Sequence, residues 1–539
     1  SSDQLLTGDT NAKKHSGFSN VIQKENFQDK QQNLGELIEK ESSVQVQQSG
    51  GLGSFSSVSL RGASSNQVMV YMDGVPLNDS SGGGVDLSNI PVEQIESVEI
   101  YKGNSPINLS GSSIGGALNI KTKRAKQYPS ADASIGYGSF NSFKINSTVS
   151  QKPGRFDYLV NGGYSSSKNN FSFINDNGTK WNTNDDEKEK RNNAEYYQGN
   201  VLGTFSYDIS QKTRASISEQ FFMKNQHLPT WNNNPKATTT FDTKRNIVNL
   251  KLISNELIGK LNSASRLDHS YKKEIYSDTN NDVGLGKQHN KYVTTSYGLN
   301  QFFELPTSFN NISSNIDIRQ ENYNSYDLLY QANTEPSTRN YYSVALQDKI
   351  SLINRTLAII PAITLEHYDN KFRSSSSPRI ESNNYFNPKI GAKYNLISWL
   401  NIKSNLARYV REPSFFELFG DRGFFNGNKD LKAEKGVNFD IGLEAETKII
   451  YFSSTYFRTN IDDVISYVYN SRGIGQAVNI SSSVNNGIEN TLLLEPLKGQ
   501  TISLNYTWQN PVNKSKVPVF NNKRLPGKFE DTASIKLSG

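Results

Sequence analysis

Three short constellations in this sequence combine residue types and spacings that could do chemistry. Gly111-Ser112-Ser113-Ile114-Gly115 fits G-x-S-x-G, the sharp turn that presents a nucleophilic serine in α/β hydrolases. That turn needs a strand before it and a helix after it. Here "GALNIKTK" (116–123) follows and reads as a strand, so these glycines are turn residues. Asp278, Asn280 and Asp282 alternate like the start of a calcium loop, yet no glycine stands at the sixth place and position 289 is His. Asp185, Asp186 and Glu187 are the remaining calcium candidates, weak ones, because a solvated acidic loop explains them equally well. "GGLGSF" (50–55) is glycine-rich but opens no helix, so it is no phosphate cradle. Histidines occur at 15, 227, 269, 289 and 367 without clustering, and there is no cysteine. No catalytic set survives, so an enzyme is not expected, nor a cofactor beyond that calcium.

The elements that position these residues come from composition and periodicity. The 539 residues include 58 Lys+Arg and 52 Asp+Glu, net +6, too small and too dispersed an excess to argue for nucleic acid. The one tight basic run, Lys121, Lys123, Arg124 and Lys126, reads as a solvated junction. Gly (39), Tyr (27) and Phe (27) are frequent and Met (3) is scarce, a composition that favours strands and turns over helices. No run of 18 apolar residues exists, so no transmembrane helix is expected.

From about residue 126 onward, apolar and polar residues alternate. Ile502, Leu504, Tyr506 and Trp508 interleave with Ser503, Asn505, Thr507 and Gln509. Phe143, Ile145 and Val149 interleave with Lys144, Asn146, Thr148 and Ser150. Val201, Gly203, Phe205, Tyr207 and Ile209 do the same. Some connections are tight, as at Lys152-Pro153-Gly154 and Ser210-Gln211-Lys212. Others are long and polar, as at 175–193 and 224–244. Alternating strands with short and long connections describe a transmembrane antiparallel β-barrel. A soluble sandwich, propeller or β-helix ranks lower, since no repeat of fixed length appears.

Residues 15–125 obey a different grammar. Leu34, Leu37 and Ile38 fall on one helical face, with Asn33 as N-cap and Glu36 three residues on. Val68-Met69-Val70-Tyr71-Met72 is apolar on both faces and must be enclosed on both. Asp73-Gly74 then signals a hairpin turn. A helical turn near Pro91 and strands at 97–103 and 116–123 complete a compact α+β domain. A small domain ahead of a barrel fits a plugged lumen, as in the roughly 22-stranded outer-membrane transporters.

These segments resemble the TonB-dependent outer-membrane receptors, of siderophore or cobalamin receptor type. "SLRG" (59–62), "VYMDGVPL" (70–77), "IESVEIYKG" (95–103) and "GSSIGGALNIKTK" (111–123) occur in that family's plug order. "ARYVREPSFFELFGDRG" (407–423), "GNKDLKAEKGVNFDIGLE" (427–444), "AVNISSSVNNGIE" (477–489) and "NNKRLPGK" (521–528) resemble its barrel. The resemblance implies a membrane all-β fold in three parts: a periplasmic tether (1–14), a plug (15–125) and a barrel (126–539). It implies TonB-dependent import of a scarce nutrient, a ferric siderophore or cobalamin, across the outer membrane of a diderm bacterium. The implied partners are TonB, a small metal-chelate or vitamin cargo, outer-membrane lipids and a surface lipoprotein; nucleic acid is not among them. A non-transporting receptor or structural component of an outer-membrane complex is the alternative, and a plain porin a third reading. Haem is disfavoured, because residues 414–426 lack the histidine that haem receptors of this family carry there.

Residue by residue, the TonB-box candidate is Asp3, Gln4, Leu5, Leu6 and Thr7, a short segment able to add as a strand to a partner sheet. Cargo candidates are Ser49, Gly50, Gly51, Leu52, Gly53, Ser54 and Phe55, with Asn78, Asp79, Ser80 and Ser81 through to Gly84, plus Trp181, Trp231 and Tyr469 as aromatic contacts. Plug arginines of the family meet barrel glutamates. Arg61 fits the first cation, Lys102 stands where an arginine is usual, and the acidic partners are Glu434 with Asp440 or Glu444. Lysine replaces a fork with a point charge. The chain ends at "ASIKLSG" without the family's terminal aromatic strand. At roughly 20 residues per strand and connection, 126–539 holds about 20 strands. The resemblance therefore implies further C-terminal strands, without which the barrel would not close.

Overall fold

The computed structural model describes residues 16–538 except 28–32, 110, 112, 178, 180, 231, 283–285, 334–335, 373–378, 422–424, 470–474, 481, 498, 516–517 and 519–520. In the N-terminal domain, Asn33 caps the helix Leu34–Ile38, accepting from the Glu36 amide at 2.8 Å while its own amide donates to Glu36 Oε1 at 2.9 Å. The strand Val68–Met72 sits between parallel Gly116–Thr122 and the short return Val75–Pro76, with Asp73 (φ 51°) and Gly74 (φ 84°) making the turn. Ile95–Lys102 pairs with Gly116–Thr122 on one side and Phe18–Gln23 on the other. Val68, Val70 and Met72 enter the domain core with Leu60, Val98, Ile100 and Leu118. Tyr71 and Met69 occupy the other face, with Tyr101 and Leu109. Both faces of the fully apolar strand are thereby enclosed.

Most of the rest of the chain is one antiparallel sheet of 18 strands whose order runs round as a closed barrel, with two small sheets built from its connections. Short turns such as those after Gln151, Asp208 and Ile258 lie at one rim, and long connections lie at the other. The connection expected over 224–244 is shorter, because its flanking strands run to His227 and start at Thr240. The inward positions are polar and covered by the plug: Asn505, Thr507 and Gln509 are buried, whereas Tyr506 between them faces outward. Asn146, Thr148 and Ser150 follow the same rule against Ile145 and Val149.

Eighteen strands stand in the ring order, against about 20 expected from the length of 126–539, and that order runs round as a closed barrel. The strands that meet there, Ser130–Gly138 and Asp531–Ser538, are the short ones, 9 and 8 residues long. Their outward residues are well exposed, Ile135 being 74% and Leu537 72% exposed.

Candidate functional site

Arg61 follows the buried strand Ser56–Leu60 at a turn where its own φ is 46° and that of Gly62 is 71°. This left-handed backbone, unusual for a non-glycine residue, aims the guanidinium out of the plug into the barrel wall. Nε and Nη2 grip Glu489 at 2.8 and 3.2 Å, a bidentate fork, and Nη1 reaches Asp440 at 2.9 Å. The Phe457 ring lies 4.9 Å from the guanidinium carbon. Lys102 Nζ stands 3.7 Å from Glu489 and donates to Ser42 Oγ at 2.5 Å. Burial alone would lower the Arg61 pKa; Glu489 and Asp440 outweigh it and hold the guanidinium above its ordinary value. Burial pulls Lys102 below the ordinary lysine value, against the attraction of Glu489. All four groups are less than a tenth exposed, so this plug-to-wall latch is a desolvated one.

Two of the sequence-derived partners take other roles. Glu434 accepts from plug Gln67 Nε2 at 3.0 Å on each oxygen and pairs with Arg411 at 2.5 Å, so it touches the plug through an amide. Glu444 pairs at 2.7 Å with Lys403, another wall residue, and takes no part in the latch. Asp440 is a true partner. Glu489, the central one, was missed, although it is the last residue of "AVNISSSVNNGIE" and the signal was its acid in an inward position. Period two on Asn485 and Gly487 places it toward the lumen.

Above the latch, at the long-loop rim, the plug apex meets a larger and a smaller cavity, and a third of about 100 Å³ at Gly82 to Gly84. The larger, about 650 Å³, lies between the plug loop at Ser49–Gly51, Ser54 and Phe55 and a wall that includes Phe171, Phe173, Arg191, His227, Phe241 and Tyr276. The Arg191 guanidinium lies 5.3 Å from the Phe173 ring centre. Lys224 also lines this cavity, its ammonium donating to the Gly53 carbonyl at 2.9 Å and Ser88 Oγ at 2.8 Å. The smaller cavity, about 160 Å³, joins Asn78, Asp79 and Ser80 to Lys272, Asp317, Arg319 and Tyr341. Over it sits the short helix Phe415–Phe419, capped by Ser414, with the Phe415 amide donating to the Ser80 carbonyl at 2.6 Å.

The cargo candidates divide accordingly. Ser49, Gly50, Gly51, Ser54 and Phe55 line the larger cavity; Leu52 and Gly53 face a separate crevice beside Tyr196. Asp79 pairs with Lys272 at 2.7 Å, and Ser81 accepts from the same ammonium at 3.0 Å. Asn78 lines the smaller cavity but spends its amide on Val70 N and the Val68 carbonyl, bracing the plug strand. Trp181 is 90% exposed and away from both cavities. Tyr469 ends the strand Ile465–Tyr469, outside the barrel sheet; Trp231 and the segment Asp3 to Thr7 lie outside the described residues. Asp185 accepts from Thr179 Oγ1 at 2.6 Å, and among the described residues no cluster of three metal-ligating side chains forms there or elsewhere. Phe171, Phe173, Arg191 and Phe241 were not anticipated, because nothing local distinguishes them from strand aromatics and loop charge.

A β-barrel with a polar lumen filled by a latched α+β domain defines a plugged receptor barrel. The family model for the TonB dependent receptor-like β-barrel matches residues 127–538, and that for the TonB-dependent receptor plug domain matches 11–117; the chain belongs to the TonB-dependent receptors. The vitamin B12 transporter BtuB of Vibrio vulnificus (strain CMCP6) is 21% identical over 447 residues, 83% of this chain and 67% of that protein. Among solved structures, the copper transporter OprC superposes with TM-score 0.77 at 12% identity, over 97% of this chain and 82% of its own. The FrpB iron transporter from Neisseria meningitidis gives 0.75 at 16% identity, over 93% and 80%. Such identities establish the shared fold. Members of this family are outer-membrane receptors and transporters, not enzymes, and membership implies a TonB partnership and a small-molecule cargo.

Proposed function

We propose that this receptor actively imports a small anionic metal chelate of the ferric siderophore type, driven by TonB. In this reading the long-loop rim faces the exterior, while the short-turn rim and the N-terminus with its box at Asp3–Thr7 face the periplasm. The larger apical cavity carries the reading. It sets Phe171, Phe173, Phe241 and Tyr276 beside the Arg191 guanidinium, while Lys224 is paired with Asp86, the single carboxylate on the lining, at 3.1 Å. Aromatic faces stack on planar chelating rings, and a guanidinium complements the negative charge of a deprotonated chelator. A neutral corrin would use the aromatics but not the guanidinium.

Protein extracted gently from its native outer membrane, analysed for metals and small molecules, tests this. Co-purified iron with an acidic aromatic chelator is the expected result. Cobalt with a corrin mass would move the cargo to cobalamin. In either case Leu6→Pro, which blocks strand addition at the box, is expected to abolish accumulation while leaving surface binding intact. Intact accumulation would refute the energised mechanism as placed here.

A further inference from the structure

The outward face of the barrel is apolar through its middle and changes toward the long-loop rim. On the neighbouring strands Thr213–His227, Thr240–Ile258 and Leu261–Asp278, one cross-strand row of exposed residues is Ile217, Leu250 and Leu267. Four residues nearer the long-loop rim, the outward row is Phe221, Asn246 and Tyr271. Aromatic residues above an apolar band mark the boundary between hydrocarbon and headgroups. The next outward row, about 7 Å further on, sets Lys244 directly opposite Lys273. On the adjoining strand Lys291 stands diagonal to Lys273, its ammonium 3.9 Å from the centre of the Tyr326 ring.

Like charges directly opposed across two strands repel each other. Other lysines near the rims stand against an acid: Lys435 opposes Asp462, Lys212 meets Glu256 at 2.6 Å and Lys152 meets Asp208 at 2.8 Å. Lys244 and Lys273 have neither a hydrogen bond nor an ion pair among the described residues. Asp242, two residues from Lys244 on the same face, takes the Asn225 amide at 2.5 Å. The row is separate from the cargo cavities, since Arg245, Lys272 and Glu274, which alternate with these lysines, line the third apical cavity on the lumen side. We propose that Lys244, Lys273 and Lys291 form an outward site for the phosphate of a membrane lipid headgroup. Ammonium groups bind phosphate as point charges, and one phosphate between Lys244 and Lys273 replaces a repulsion with two attractions. A lipid fits this place better than a free anion, because Phe221 and Tyr271 lie directly beneath the row at the depth where its acyl chains begin. The proposal takes from the import reading only the assignment of the long-loop rim to the exterior, which puts the lipid in the outer leaflet.

The test reads neither cargo nor transport, so its failure is distinct from failure of the import reading. The full chain in a non-ionic detergent is titrated with bis-phosphorylated lipid A, and bound lipid is counted by native mass spectrometry. A lysine at headgroup depth is worth roughly fivefold in affinity for an anionic lipid. Lys244→Gln combined with Lys273→Gln should therefore raise the half-saturating concentration at least about tenfold. Lys244→Arg combined with Lys273→Arg, which keeps both charges, should leave it near the unsubstituted value. Lys435→Gln, whose cross-strand neighbour is Asp462, should change it less than about twofold. Dephosphorylated lipid A should bind the unsubstituted chain no better than lipid A binds the doubly neutralised variant. An unchanged titration for that variant, an equal loss with Lys435→Gln, or equal binding of the dephosphorylated lipid would each overturn the proposal. Displacement of the lipid by millimolar inorganic phosphate would also overturn it, by assigning the row to a free anion. Heat-modifiable gel mobility checks that each variant is folded.

Discussion

Replacing Glu489 by alanine is the most direct perturbation of the latch. The carboxylate takes three contacts in one step: both arms of the Arg61 fork at 2.8 and 3.2 Å, and the Lys102 ammonium at 3.7 Å. Asp440 alone is left to face two buried cations. Removing one partner of a buried pair costs about 3–5 kcal/mol, mostly because the survivors stay desolvated and unpaired. At about 1.4 kcal/mol per tenfold, the detached population of the plug should rise by roughly two to three and a half orders of magnitude. Hydrogen exchange read by mass spectrometry on the detergent-solubilised full chain measures this. The amides of Ser56–Leu60, which leads into Arg61, and of Ile95–Lys102 should exchange faster by that factor. Glu444→Ala is the control, because its partner Lys403 is on the wall, and it should change plug exchange less than about threefold. Equal effects of the two substitutions, or none from Glu489→Ala, would refute the claim that the Arg61-Glu489 contact holds the plug.

Two further outcomes follow from neighbouring geometry. Gly103 has φ 79°, and a Cβ there would lie 3.0 Å from Arg61 Nη1 and 3.3 Å from Asp440 Oδ2. Gly103→Ala should therefore loosen the same latch by about 1–2 kcal/mol, raising exchange of Ile95–Lys102 at least several-fold, with little change in the helix Leu34–Ile38. Lys528, in the long connection after Asn513, donates to the plug carbonyl of Ala63 at 2.9 Å, and burial pushes its pKa down from 10.5 to about 8. Between those values the undocked loop binds more protons than the docked one, so docking strengthens as pH rises from 8 toward 10.5, by about 3 kcal/mol in all, and carries the full penalty below 8. A nitroxide at Phe529→Cys should lose mobility over that window, and a Lys528→Met background should abolish the response.

Period-two alternation was legible strand by strand, because the outward face and the plug-covered face impose opposite demands on adjacent residues. Asn505, Thr507 and Gln509 are buried where that pattern placed them. The plug was legible for a different reason: its signals are local. Asn33 caps its own helix, and Asp73-Gly74 turn through positive φ values that only a few residue types accept. Arg61 and Lys102 could be identified as latch cations from their segments, with Asp440 left as an alternative to Glu444. Their pairing could not, since Glu489 lies 428 positions from Arg61 and meets it only through closure of the sheet.

The sequence by itself determined a polar-cored, strand-built barrel preceded by an apolar-cored α+β domain, because periodicity and turn chemistry act over a few residues. Tertiary structure alone decided which acid meets which base. It also decided that Glu434 serves Gln67 and Arg411, and that Phe171, Arg191 and Phe241 share one cavity with Phe55. Each of those choices depends on register accumulated around the whole ring. A shift of one residue in any strand would turn its inward residues outward, so no local stretch of sequence carries that information.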